Sequence, residues 1–101
     1  MPTHSFTVEA DLDAVRRAML SIGTVAIDRT GERELLGILA GGGGVSAHGV
    51  GARLVEVWVE GFDGDLAAWE LADLLTAYLD CAVTRPVRRR SGRGPAAAAR
   101  R

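Results

Sequence analysis

The sequence contains no lysine and a single cysteine, Cys81. One cysteine excludes an internal disulfide and any zinc site built from cysteines alone. Long apolar runs are missing too. Asp28, Arg29, Glu32 and Glu34 interrupt the richest stretch, well short of the ~18 apolar residues a transmembrane helix needs. The N-terminus has no basic segment followed by an apolar one, the pattern of a secretory signal, so a cytoplasmic protein is expected. What is present, 101 residues at 48% hydrophobic and 25% charged, is the composition of one small globular domain.

The net charge of −1 conceals a separation along the chain. All 13 acidic residues lie at or before Asp80, with only five of the 12 arginines before position 85. The first part therefore carries about −8 and the remainder, with seven arginines, about +7.

Hydrophobic periodicity sets out the elements. Residues 4–9 alternate, with Phe6 and Val8 on one side and Thr7 and Glu9 on the other, which reads as a strand. Leu12, Val15, Met19 and Ile22 follow at helical spacing, with Asp11 and Asp13 at the start and Gly23 after the last of them. Residues 24–28 form a short strand with Val25 and Ile27 inward. Residues 32–40 fit a helix or a strand, and Gly37 with the four glycines that follow favours a strand. Residues 41–51 read as a glycine-rich loop carrying Ser46 and His48. In residues 53–60, Val55, Val57 and Val59 point one way and Leu54, Glu56 and Trp58 the other. Ala68, Leu71, Ala72, Leu75 and Leu79 mark the buried stripe of a second helix. Residues 82–87 can return as a last strand, and residues 88–101, lacking any apolar pattern, read as a basic, disordered tail.

The expected order is β-α-β-β-β-α-β over a single domain of residues 1–87. That is an α+β two-layer sandwich, with a mostly antiparallel sheet and both helices on one face. The other face, bearing Leu54, Glu56 and Trp58, is partly apolar. It calls for cover by a ligand or by a second chain, in a homodimer or a hetero-oligomer.

Several residue groups suggest chemistry. The run Gly41-Gly42-Gly43-Gly44 lacks the Lys-Ser/Thr and the helix start of a phosphate-binding loop. Ser46 and His48 would share a face of an extended segment as nucleophile and base, without a third group at suggestive spacing to orient the histidine. His4, His48, Glu9, Glu56 and Glu60 have no metal-ligand spacing, and no metal is expected. Pro2 would become an N-terminal proline on loss of Met1, the catalytic base in the tautomerase superfamily. The tail arginines could add salt-sensitive contacts to nucleic acid or to an acidic partner, but without interleaved aromatics sequence-specific readout is not expected.

From Leu35 onward the arrangement changes the weighting. An apolar strand leads to a loop ending in Ser-x-His. A strand with an acidic residue among valines, then Gly, an acidic helix and a basic-flanked strand complete it. This resembles the prokaryotic S-adenosylmethionine decarboxylase family over residues 4–90. Gly42-Gly43-Gly44-Val45-Ser46-Ala47-His48-Gly49 lies against that family's E-S-H-L-S-I-H-T. Leu54-Val55-Glu56-Val57-Trp58-Val59-Glu60-Gly61 lies against A-V-D-V-F-T-C-G.

The resemblance implies a small enzyme whose chain cleaves itself at a serine to leave a pyruvoyl group. That ketone forms a Schiff base with the substrate amine and draws off electrons during decarboxylation. The departures fall on the chemistry. The processing serine corresponds to Gly43, which has no hydroxyl to start the acyl shift. The histidine after it corresponds to Gly44 and the proton-donating cysteine to Glu60, while His48 matches a histidine implicated in processing. The expectation is a relative that does not process itself and needs no cofactor, a pyruvoyl group arising only if Ser46 were the cleavage site. It would bind a cationic amine or sulfonium, or a protein partner, with Glu56, Trp58, Gly43 and Gly44 as binding residues. Ser46, His48 and Glu60 are the catalytic candidates, His48 and Glu60 forming an acid–base pair in the enzymatic alternative. A second alternative is an interaction protein that docks through its tail.

Overall fold

A computed structural model describes residues 3–23, 25–61 and 64–89. Pro2, the tautomerase-like candidate, and residues 90–101 of the tail lie outside the described residues. The elements in chain order are β1 (Thr3–Val8), α1 (Leu12–Ile22), β2 (Val25–Thr30), β3 (Glu34–Leu39), β4 (Gly44–Gly51), β5 (Leu54–Glu60), α2 (Gly64–Leu79) and β6 (Val87–Arg89). The strands form one antiparallel sheet in the order β2-β3-β4-β5-β1-β6. This is the α+β architecture expected, with one strand more.

The helix α1 starts where its carboxylate can work. Asp11 sits outside the helix with extended backbone, and its side chain accepts the Ala14 N–H at 2.7 Å. Gly23 ends the helix at φ 76°, its N–H donating to the Met19 carbonyl. Val15, Ala18 and Met19 bury their side chains against the sheet layer. Replacing the cap, Asp11→Ala, is expected to lower stability by about 1 kcal/mol. The check is a lower urea midpoint with an unchanged slope.

Partners across an antiparallel ladder share a face, so the pairing separates the two faces cleanly. Phe6 opposes Val57 and Val8 opposes Val55, while Val45 opposes Val59 and Ala47 opposes Val57. These side chains are buried and, with Leu35, meet Ala68, Leu71, Ala72 and Leu75 of α2 in one core. Within residues 32–40, Glu34–Leu39 is the strand β3, in which Leu35 is buried and Leu36 half-buried. Gly37 fits because a Cβ there would stand 2.6 Å from Val25 Cγ1, so β2 closes over this position only if the side chain is missing.

Three expectations are corrected. The glycine-rich stretch is not one loop: only residues 40–43 turn, and Gly44–Gly51 is the strand β4, paired on both sides. Its glycines disguise an alternation of Val45 and Ala47 inward with Ser46 and His48 outward. Two neighbouring ladders override glycine's poor intrinsic strand preference. The last strand is also displaced. Val83 makes an isolated bridge to Val8, Thr84 exchanges hydrogen bonds with Thr7, and regular pairing resumes only at β6. Pro86, without an N–H, sits at that interruption. Finally, the boundary drawn between residues 87 and 88 falls inside β6, so Arg88 and Arg89 belong to the sheet.

The sheet's edges are poor templates for a further strand. β2 is broken by a register shift between Ile27 and Arg29, and β6 is three exposed residues, two of them arginine. No described helix is long and apolar enough to cross a membrane.

Candidate functional site

The face away from the helices is built in rows, because each residue of β5 has a partner on β4 and another on β1. Gly44, Glu60, Thr3 and Arg89 make the first row, with Ile38 beyond Gly44. Leu36, Ser46, Trp58, Ser5 and Val87 make the second. Glu34, His48, Glu56 and Thr7 make the third. Nothing in the described residues covers this face as the helices cover the other.

A pocket of about 240 Å³ opens over the first two rows, lined by Thr3, Leu36, Gly44, Ser46, Trp58 and Glu60 with the backbone of Gly37 and Val45. Leu36 and the indole of Trp58 are its apolar walls. The indole is fixed in orientation: its Nε1–H donates to Glu56 Oε1 at 2.7 Å, two residues back on the same strand. Glu60 brings the charge, and no ion pair engages its carboxylate among the described residues. Gly44 leaves room opposite it, where a Cβ would lie 3.5 Å from Glu60 Oε1. The Thr3 hydroxyl is buried with no hydrogen-bond partner among the described residues, which is costly unless something binds there.

Of the sequence-predicted residues, the pocket gathers Ser46, Trp58, Glu60 and Gly44. Glu56 acts one step removed, by holding the indole. His48 lies in the third row, its Nε2 3.6 Å from Glu34 Oε2 and its strand partner Glu56 on the other side. It is set between two carboxylates, in the row away from the pocket. His48 and Glu60 are not together. Four residues of strand separate Gly44, opposite Glu60, from His48, about 13 Å, with Ser46 and Trp58 between. Ser46 and His48 do share a face, as expected, but no hydrogen bond joins them.

Gly43 does not line the pocket. It is the last residue of the turn before β4, at φ 101°, and a Cβ on it would fall 2.4 Å from the Glu60 carbonyl oxygen. The position is closed to any side chain unless the backbone moves. Ser46 stands in the opposite situation, in the regular ladder between Leu36 and Trp58. Its preceding peptide shows none of the positive-φ geometry found at Gly42 and Gly43.

No family model matches the chain, and no curated protein matches it. The site therefore stands on its own geometry.

That geometry contains three residues the sequence did not point to. Thr3 and Leu36 follow from parity, since they alternate with the core residues of β1 and β3. Arg89 had no such signal, being hidden in a run read as tail. It donates through Nε to Ser5 Oγ, and its Cζ stands 5.4 Å from the centre of the Trp58 ring. Among the metal candidates, His4 is buried on the helix side of the sheet, opposite Val59, away from His48, Glu56 and Glu60. The described residues hold no cluster of metal-ligating side chains. Partial burial, and then the charges of Glu9 and Asp80, push the Cys81 thiol pKa up, which disfavours a thiolate there.

Proposed function

We propose that this chain binds one small organic cation, an amine or a sulfonium, on the open face of its sheet, and does so without processing itself. It acts as a binding relative of the S-adenosylmethionine decarboxylases, a subunit that recognises a cationic metabolite and lacks the catalytic ketone. The observation that carries the reading is the unpaired carboxylate of Glu60 on a pocket walled by Trp58. A carboxylate at the mouth and an aromatic wall are the two elements that recognise an alkylammonium or sulfonium group. Ser46 and the unpartnered Thr3 hydroxyl supply further polar contacts to an ammonium or to a polar group beside it.

The experiment is a fluorescence titration in which Trp69 is replaced by Phe, so that Trp58 alone reports. Propylamine and trimethylsulfonium are the probes. Saturable change with either is expected, and Glu60→Gln should weaken binding about tenfold, a loss of roughly 1.4 kcal/mol. A linear, non-saturating response, or a Glu60→Gln variant that binds equally well, would overturn the reading.

Intact mass separates it from the enzymatic alternative. One uncut chain is expected, with no adduct after reduction in the presence of the amine. A break before Ser46 with a pyruvoyl-terminated fragment would instead make the protein a working decarboxylase. The separation of His48 and Glu60 speaks against their acid–base pairing, and nothing else in the site supplies a second acid.

The same face is the surface through which a partner would attach. Ile38 and Val87, each more than half exposed, extend the apolar strip of Leu36 and Trp58 to both sides. A second copy or a different chain seated there would close the pocket from solvent. For the tail alternative, the described part shows two of the seven late arginines held in the sheet, which leaves a salt-sensitive docking role to residues 90–101.

A further inference from the structure

Trp58 stands between two different neighbours in its row, Ser46 of β4 on one side and Ser5 of β1 on the other. The pocket lies on the Ser46 side. The guanidinium of Arg89 lies on the Ser5 side, anchored through Nε to Ser5 Oγ and set over the indole. One cation of the chain itself thus already uses this aromatic ring. Arg89 and Glu60 also share the first row, on either side of Thr3, and no ion pair joins them. Glu60 keeps its charge for the pocket and Arg89 keeps its own for the ring.

We propose that Arg89 sets the charge of the ligand: it makes the Trp58–Glu60 pocket a site for a single positive charge and discriminates against diamines and longer polycations. The inference rests on the cation-binding reading above and adds its selectivity. A cation bound against the ring on the Ser46 side would lie within roughly 12 Å of the guanidinium, each being within about 6 Å of the ring centre. That is close to the Debye length of ~10 Å at 0.1 M salt, so the repulsion is felt at low salt and fades at high salt. The first ammonium offsets this by pairing with Glu60. A second ammonium on the same ligand finds no further unpaired carboxylate lining the pocket and meets the same repulsion. Without Arg89, an acidic body of about −8 would favour the more highly charged ligand.

The test uses the full-length chain with Trp69→Phe, titrated with propylamine and with 1,3-diaminopropane at low ionic strength. Arg89→Met keeps the aliphatic stem on the sheet and removes the charge, while Arg89→Lys keeps the charge. The ratio of diamine to monoamine affinity should rise at least threefold in Arg89→Met, remain within about twofold of the parent in Arg89→Lys, and lose its dependence on residue 89 at 1 M salt. An unchanged ratio in Arg89→Met, with Glu60-dependent binding intact, would overturn the proposal for Arg89 and leave the pocket standing. Absence of saturable binding in the parent and in both variants would overturn the cation pocket itself, and the selectivity with it. A thermal melt of each variant shows whether β6 is still docked, since Trp58 emission shifts when the strand leaves.

Discussion

Gly43→Ser, which places a hydroxyl at the position that the proposed resemblance sets against the decarboxylases' processing serine, is expected to give an uncleaved chain that is less stable by about 3 kcal/mol. Two costs add. A residue with a Cβ held at φ 101° gives up about 1–2 kcal/mol relative to glycine. Its Cβ also falls 2.4 Å from the Glu60 carbonyl, and clearing that overlap moves the end of β5 or the turn, at a cost typical of overpacking, about 1–3 kcal/mol. For a domain of this size that loss lowers the melting temperature by roughly 12–24 °C. Gly44→Ser is the control. Its Cβ would make only ordinary contact with Glu60, at 3.5 Å, so it should melt within a few degrees of the parent while narrowing the pocket. Thermal melts and intact masses of the two variants decide the matter. A Gly43→Ser chain that melts like the parent would show that the turn has another conformation. One that cleaved would show that a single missing hydroxyl separates this protein from self-processing.

The comparison of these two glycines also shows how far the sequence could be read. Four consecutive glycines look alike on the page, yet the first three turn the chain and the fourth begins a central strand. What distinguishes them is the alternation that follows, Val45 and Ala47 against Ser46 and His48. That alternation was present in the sequence, and glycine's low strand propensity outweighed it. The strands with their core residues on one parity, β1 with Phe6 and Val8 and β5 with Val55, Val57 and Val59, are legible, as are the capped helix α1 and the apolar stripe of α2. Trp58 lies on the uncovered face, as the alternation of β5 implies, and Glu60 lies there by the same parity. Arg89 was not legible. Its place depends on β1 having one side free after pairing with β5, a fact of topology that no local pattern encodes. The same holds for the distance between His48 and Glu60. Both are polar residues on one face, and only the register of β4 against β5 puts the Trp58 row between them.

The two leucines of β3 provide the sharpest division between fold and site. Leu35→Ala is expected to cost about 3 kcal/mol, within the range found for emptying a leucine site in a packed core. Its side chain is fully buried, in the cluster that holds Val45, Ala47, Val57 and the α2 leucines. Leu36→Ala removes the same atoms from the opposite face, where the side chain is half-buried and lines the pocket. Less apolar area returns to water and no enclosed cavity forms, so its cost should stay below about 1.5 kcal/mol on the transfer scale. Binding should divide the other way. Leu36→Ala takes away the wall facing Trp58 and should weaken propylamine severalfold, while Leu35→Ala, measured at a temperature where it is folded, should bind nearly as the parent does. Urea unfolding and the Trp58 titration on the same two samples give both numbers. If residues 32–40 were helical, adjacent leucines would share a boundary rather than oppose each other, and the two substitutions would show similar costs. The contrast between stability loss at 35 and binding loss at 36 is therefore a test of the strand and of the pocket at once.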